Sequence, residues 1–251
     1  MTVTLVRDAD PGRREREDID HRVVTLLNSD SFEADQYRTL RFAIDRACPS
    51  TASRVIAVTS SIPGEGKTLT TANLAGAIAS SSQARVLMTD ADLRRPSLAR
   101  ILGHGTVHRG WGLVDAILDR RLSLEQIAWR CEPFNIFAVT SRRPQADTYE
   151  LLANGRFGEL VQNARQQYDY VIIDTPPVLP TPDSRLIAEF IDGYIVVVAA
   201  DKTPRRLLEE SLALLGPSKM LGLVFNRESY KHSRYGRYYY RAYSPRNNNS
   251  R

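Results

Sequence analysis

Val55-Ile56-Ala57-Val58-Thr59-Ser60-Ser61-Ile62-Pro63-Gly64-Glu65-Gly66-Lys67-Thr68 joins an apolar run to a glycine-rich turn ending in Lys-Thr. The run predicts a strand buried on both faces. The stretch from Lys67 to about Ala79 predicts a helix. A strand, a glycine turn and a helix in that order gather backbone N–H groups at the helix start, where they cradle an anion. Gly64 and Gly66 let a phosphate approach the backbone closely. Lys67 is placed to bridge β- and γ-phosphate oxygens, and the Thr68 hydroxyl to ligate magnesium. Pro63, Gly64, Glu65, Gly66, Lys67, Thr68 and Leu69 are therefore the candidate nucleotide-contact residues. The pattern G-x-x-x-x-G-K-[ST] is met except at its first glycine, where Ser61 stands. A chance Gly-Lys-Thr at a helix start is the plain alternative; the strand before it and the helix after it argue against chance.

Further apolar runs follow at intervals. Val86–Met88, Ile136–Val139, Tyr170–Ile173, Tyr194–Val198 and Leu221–Phe225 each predict a strand, and Gly155–Gln166 and Arg205–Leu215 predict covering helices. The alternation predicts one α/β domain with a mostly parallel sheet flanked by helices, the P-loop NTPase arrangement. In such a sheet the carboxyl ends of the strands share an edge with the phosphate loop. Two of those ends carry acids: Thr89-Asp90-Ala91-Asp92 after the second strand and Asp174-Thr175-Pro176-Pro177 after the fourth. Asp92 and Asp174 are the candidates to support magnesium. Asp90 is the candidate to accept a proton from an attacking hydroxyl or to orient it. The roles of Asp90 and Asp92 are interchangeable at this point, and helix capping or turn stabilisation is the plain reading of the pair. Arg94 and Arg95 either fix this loop by ion pairs or approach phosphate. Asn226, directly after the sixth strand, offers a donor and an acceptor to a purine edge or stands as a turn asparagine.

The rest of the chain divides around this domain. Of its 251 residues 42% are hydrophobic and 25% charged, an ordinary globular balance. The longest apolar runs, such as Ile195–Ala200, are too short to cross a bilayer. No basic segment followed by an apolar stretch opens the chain, so no secretory signal is expected. Cys48 and Cys131 lack metal or redox spacing and read as free thiols. Residues 1–31 read as a flexible arm, 32–226 as the nucleotide-binding domain with a helix over Phe32–Ala47, and 227–251 as a tail.

That tail is the second unusual feature. Tyr230, Tyr235, Tyr238, Tyr239, Tyr240 and Tyr243 fall within fourteen residues, among Lys231, Arg234, Arg237 and Arg241. From Arg227 onward seven basic residues face one acid, so the tail carries +6, and the rest of the chain sums to −1 of the net +5. Charge alone fits an anionic lipid, a nucleic acid or an acidic protein. The segment has almost no aliphatic residues, so it cannot build a core. Six hydroxyls on such a segment make it a candidate acceptor of phosphoryl groups. Each phosphate adds about −1.5 to −2 charges, so about four would reverse the tail's sign.

Taken together, Ser61–Thr68, Val86–Ser97, Tyr170–Pro177 and the tyrosine tail resemble the bacterial tyrosine kinases of capsule and exopolysaccharide synthesis. The resemblance runs from about Phe32 to Asn226 and then covers the tail. It implies a fold related to the deviant phosphate-loop ATPases of chromosome partitioning and septum positioning. It implies ATP and Mg²⁺ as cofactors, Asp90 in the base-like role, and Asp92 and Asp174 with Thr68 at the metal. It implies phosphorylation of the tail between subunits of a homo-oligomer, in some members an octameric ring. A transmembrane chain-length regulator as a separate activator, and a tyrosine phosphatase, are the partners implied; no specific nucleic acid is. The implied location is the cytoplasm, at the inner face of the membrane. The family's acid-x-x-Arg-x-x-Arg oligomerisation pattern is met by Asp35, Arg38 and Arg41, with Asp where Glu is usual. A spacing of three puts these on one helical side, which also fits an exposed intrahelical ion cluster. Ser141–Ala146 replaces the family's glycine- and proline-rich turn. Two readings compete with the kinase: a partitioning-type ATPase switch, and a scaffold that binds nucleotide without turnover.

Overall fold

Val55, Ile56, Ala57 and Val58 are all without solvent exposure. They alternate between two cores, Val55 and Ala57 on one face of the sheet and Ile56 and Val58 on the other. The same alternation holds for Val171 and Ile173 against Tyr170 and Ile172. This is why these runs lack the polar alternation of a half-exposed strand. Burying each Val or Ile side chain among them contributes about 1.5–3 kcal/mol, so the central strands anchor both layers.

The computed structural model describes residues 18–48, 53–81, 83–104 and 110–227. Its first half runs α1 (Val24–Leu27), α2 (Phe32–Ala47), β1 (Arg54–Ser60), α3 (Lys67–Ser81), β2 (Val86–Asp90), α4 (Leu98–Ile101), α5 (Leu113–Leu118) and α6 (Leu124–Ile127). The second half runs β3 (Trp129–Arg130), β4 (Ile136–Val139), α7 (Thr148–Ala153), α8 (Gly155–Gln167), β5 (Tyr170–Asp174), α9 (Asp183–Leu186), β6 (Gly193–Ala199), α10 (Arg205–Leu215) and β7 (Met220–Asn226). The sheet order is β3-β4-β2-β5-β1-β6-β7, parallel throughout except for β3 against β4. The α/β class and the six expected strands are present. The seventh strand, β3, has two residues and no readable period.

The long helices follow their sequence signals. Ser31 Oγ accepts the Ala34 N–H to start α2, with Glu33 and Asp35 in the first turn and Arg46 in the last, the charge order that suits a helix dipole. Asn154 caps α8 in the same way. Gly216, at φ 78°, ends α10. α3 is the buried helix: Ala72, Leu74, Ala75, Ala77 and Ile78 are at most 1% exposed.

The arm expected over residues 1–31 is corrected in its described part. Val23, Thr25 and Leu26 are buried, and Thr25 donates its N–H to Asn73 Oδ1 at 3.1 Å. A Cβ at Gly76 on α3 would lie 2.2 Å from Thr25 Oγ1, so the missing side chain lets α1 dock. The apolar run Val23–Leu27 outweighs the charged residues before it. Residues 228–251, and with them all six acceptor candidates Tyr230, Tyr235, Tyr238, Tyr239, Tyr240 and Tyr243, lie outside the described residues. Cys48 and Cys131 are free and buried.

Candidate active site

β2, β5 and β1 are adjacent and parallel, so their carboxyl ends open on one edge. Asp174 ends β5 opposite Asp90 on β2 and Val58 on β1. The loop after β1 crosses above this point and enters α3. Gly64 and Gly66 sit at φ 84° and 102°, where L side chains are strained. A Cβ on Gly66 would also meet Asn226 Nδ2 at 2.0 Å.

Lys67, Thr68, Asp90, Asp92 and Asp174 come together as expected. Lys67 Nζ donates to Asp92 Oδ2 at 2.7 Å, with 11% and 4% of the two side chains exposed. Burial pushes the Lys67 pKa down, but Asp174, Asp92 and Asp90 more than offset it, so the ammonium is held charged. Asp92 Oδ1 accepts the Arg95 N–H at 3.0 Å. Asp90 Oδ2 accepts from Ser97 N and Leu98 N at 2.8 and 2.9 Å, and its Oδ1 from Asp92 N at 3.2 Å. Asp90 thus staples the 91–98 loop, so the turn-stabilising reading holds for this residue as a matter of geometry. Burial, then the neighbouring Asp174, pushes its carboxyl well above the usual range, against the pull of the Leu98 and Ser97 N–H groups.

Asp174 differs from both. It is fully buried, and neither carboxylate oxygen has a well-formed hydrogen bond; the nearby Thr68 hydroxyl is its one weak donor. Burial pushes its pKa up to about 6, while Lys67 and then the Thr68 hydroxyl hold it down. A buried carboxylate this poorly hydrogen-bonded is costly. Asp174 and Thr68 could hold a divalent cation, which would offset that cost, so the residues present fit magnesium. Among the described residues no three His, Cys, Asp or Glu side chains gather as a dedicated metal cage, and magnesium is commonly held by one or two carboxylates together with substrate phosphates.

Several expected residues have other partners. Asn226 Nδ2 donates to the Glu65 carbonyl at 2.9 Å and its Oδ1 accepts the Arg227 N–H at 2.8 Å, so the amide braces the phosphate loop. Leu69 and Asn226 both line a cleft of about 760 Å³ with Gln36, Tyr37 and Phe225; the carboxylates lie outside its lining. Arg94 makes a two-point ion pair with the buried Asp183, at 2.7 and 3.1 Å, while Arg95 is exposed. In α2, Asp35 pairs with Arg38 at 2.5 Å. Arg41 turns away from them to Asp45, 3.4 Å from its Oδ2. The three therefore do not form one cluster within the subunit. Sequence reasoning missed Asp183, Ser97 and Thr203; they come from short or irregular segments with no pattern. Ser141, in the altered turn, donates to the Asp90 carbonyl at 2.7 Å.

A glycine cradle on a parallel sheet's carboxyl edge, with a nearly buried lysine and three buried acids, defines a P-loop nucleotide-binding protein. A family model described as "AAA domain" matches residues 53–203. The tyrosine-protein kinase YwqD of Bacillus subtilis is 33% identical over 224 residues, covering 86% of this chain and 90% of its own. The succinoglycan biosynthesis transport protein ExoP of Rhizobium meliloti is 32% identical over 82% of this chain, which spans only 28% of ExoP. The kinase domain of Escherichia coli tyrosine kinase ETK superposes with a TM-score of 0.73 at 25% identity over 82% of each chain. The septum site-determining protein MinD of Pyrococcus horikoshii, solved with Mg-ADP, reaches 0.60 at 21% identity over 70% of this chain and 71% of its own, a likeness of fold alone. The chain belongs to the bacterial tyrosine-protein kinases. Its enzyme class is protein-tyrosine kinase, and the positioning ATPases are the more distant relatives.

Proposed function

We propose that this chain is an ATP- and Mg²⁺-dependent tyrosine autokinase that phosphorylates its own tail cluster, Tyr230–Tyr243, on a neighbouring subunit. The observation that carries the reading is Asp174: a fully buried carboxylate with no well-formed hydrogen bond, beside Lys67 and the Thr68 hydroxyl, at the mouth of an anion cradle. The loop N–H groups and Lys67 bind the phosphates, and Thr68 with Asp174 and Asp92 would hold the metal. Magnesium, when bound, neutralises the charge that builds on the transferred group. Asp90 accepts the proton of the acceptor hydroxyl; the Ser97 and Leu98 N–H groups favour the carboxylate form this needs, while burial and Asp174 oppose it. Leu69 and Asn226, which line the adjoining cleft, would face the purine.

The same reading puts the chain in the cytoplasm as a homo-oligomer, using Asp35, Arg38 and Arg41 in subunit contacts. It works with a transmembrane regulator of polysaccharide export and a tyrosine phosphatase. In this reading the regulator recruits the chain to the membrane; among the described residues no helix is long and apolar enough to cross one. Incubation of the full chain with labelled ATP and magnesium, with a candidate activator present, tests the reading. Label on tail tyrosines is expected. Label confined to Ser or Thr, or none, would sink it.

A further inference from the structure

Glu65 is an acid inside a loop built to bind anions, between two glycines in the left-handed region. Left exposed, its charge would repel phosphate. It is instead 2% exposed. Its Oε2 accepts the Ile62 N–H at 2.9 Å. Its Oε1 accepts the Thr203 hydroxyl, and more weakly the Ala199 N–H at 3.4 Å. Thr203 Oγ itself accepts the Ala199 N–H at 3.1 Å, which leaves its proton directed at Glu65. The Glu65 carbonyl accepts Asn226 Nδ2 at 2.9 Å, and Arg227 Nη2 donates to the Gly64 carbonyl at 2.6 Å. One residue thus ties the loop after β1 to the turn after β6 and to the end of β7.

We propose that the Glu65 side chain is a positioning residue that preorganises the phosphate cradle through Ile62 and Thr203. Glycines at 64 and 66 leave the peptide planes on either side free to rotate. The N–H groups of those planes are the ones that must converge on a phosphate. Without an anchor, binding has to order them, and that ordering is subtracted from affinity. The buried carboxylate supplies the anchor from outside the cradle, with its own charge met by three donors. Removing it therefore weakens nucleotide binding more than the chemical step. The inference rests on the nucleotide reading above.

Binding of ATP with magnesium to the full-length wild type, Glu65→Ala, Glu65→Gln and Thr203→Val tests it, alongside thermal midpoints and KM and kcat for transfer. Glu65→Ala is expected to raise the ATP Kd and KM about ten-fold or more, with kcat at saturating ATP changing less. Glu65→Gln is expected to stay within about three-fold, because its oxygen still accepts from Ile62 and its NH₂ group donates to Thr203 Oγ. Thr203→Val shifts Kd in the same direction as Glu65→Ala, and the double variant binds no worse than Glu65→Ala alone. Wild-type affinity in Glu65→Ala, with or without a lower midpoint, overturns the proposal. If Glu65→Ala does not fold, Thr203→Val carries the comparison, and unchanged affinity there overturns it. A wild type that binds no nucleotide, by contrast, defeats the nucleotide reading itself, and the proposal with it.

Discussion

Lys67 Nζ and Asp92 Oδ2 are 2.7 Å apart, although 25 residues separate them. The loop's lysine and the strand-end acid satisfy each other's charge in a nearly buried pair. In the proposed reaction, a phosphate that recruited Lys67 would compete with Asp92, and this contact would couple the two ends of the site.

Substituting Lys67 by Met leaves Asp92 buried without its charge partner. Removing one member of a buried pair costs about 3–5 kcal/mol, so the Lys67→Met chain is expected to be less stable by about 3 kcal/mol. Adding Asp92→Asn removes one of the charges that Lys67 offset, Asp174 being the other, and is expected to restore part of that loss, while phosphoryl transfer stays at background in both. Urea unfolding and labelled transfer, measured on the single and double variants, check both halves.

Asp174 gives a pH signature. Its carboxyl sits at about 6 in the folded chain because burial disfavours the ion, above the ordinary carboxylate value near 3.8 in the unfolded chain. The folded state thus binds this proton more tightly. The stabilising contribution is complete below about pH 4 and is lost as pH rises through about 6. Without added nucleotide, Asp174→Asn is expected to be more stable than wild type at about pH 8, by on the order of 2 kcal/mol. The difference shrinks toward pH 4. Magnesium-dependent nucleotide binding should vanish in this variant, and in wild type should weaken as pH falls through 6. Thermal midpoints across this range, with binding measured in parallel, decide it.

Substitutions at Arg38 and Arg41 are expected to separate assembly from folding. Arg41 has 16% of its side chain exposed and pairs with Asp45, whose Oδ1 also accepts the Tyr170 hydroxyl. Arg41→Ala is expected to destabilise the single chain by about 1–2 kcal/mol. Arg38 is about a third exposed and pairs with a half-exposed Asp35, so Arg38→Ala should change stability by less than about 0.5 kcal/mol. Light scattering then reads the subunit contact: a lower assembly mass for Arg38→Ala at unchanged midpoint is the expected result.

The fold was legible where burial leaves a mark on composition. Val55–Val58 and Tyr170–Ile173 are apolar at every position because each strand feeds two cores. Phe32–Ala47 and Arg205–Leu215 carry amphipathic patterns with clear stops. α1, α4, α6, α9 and β3 escaped because none exceeds four residues, too few for a period to show. In the site, Lys67, Thr68, Asp90, Asp92 and Asp174 were readable because loop chemistry and strand ends fix their place. What each carboxylate touches was not. Asp90's bonds to Ser97 and Leu98, Arg94's to Asp183 and Glu65's to Thr203 depend on how irregular loops fold back. Glu65 did carry a signal: an acid in an anion-binding loop asks for a partner, but only the fold says which.

The most direct test of the account is phosphosite mapping of the full chain beside Lys67→Met, with magnesium, ATP and a candidate activator. Wild type should carry phosphate on several tyrosines between Tyr230 and Tyr243, and the variant on none. Free phosphate released by wild type with unmodified tail tyrosines would contradict it.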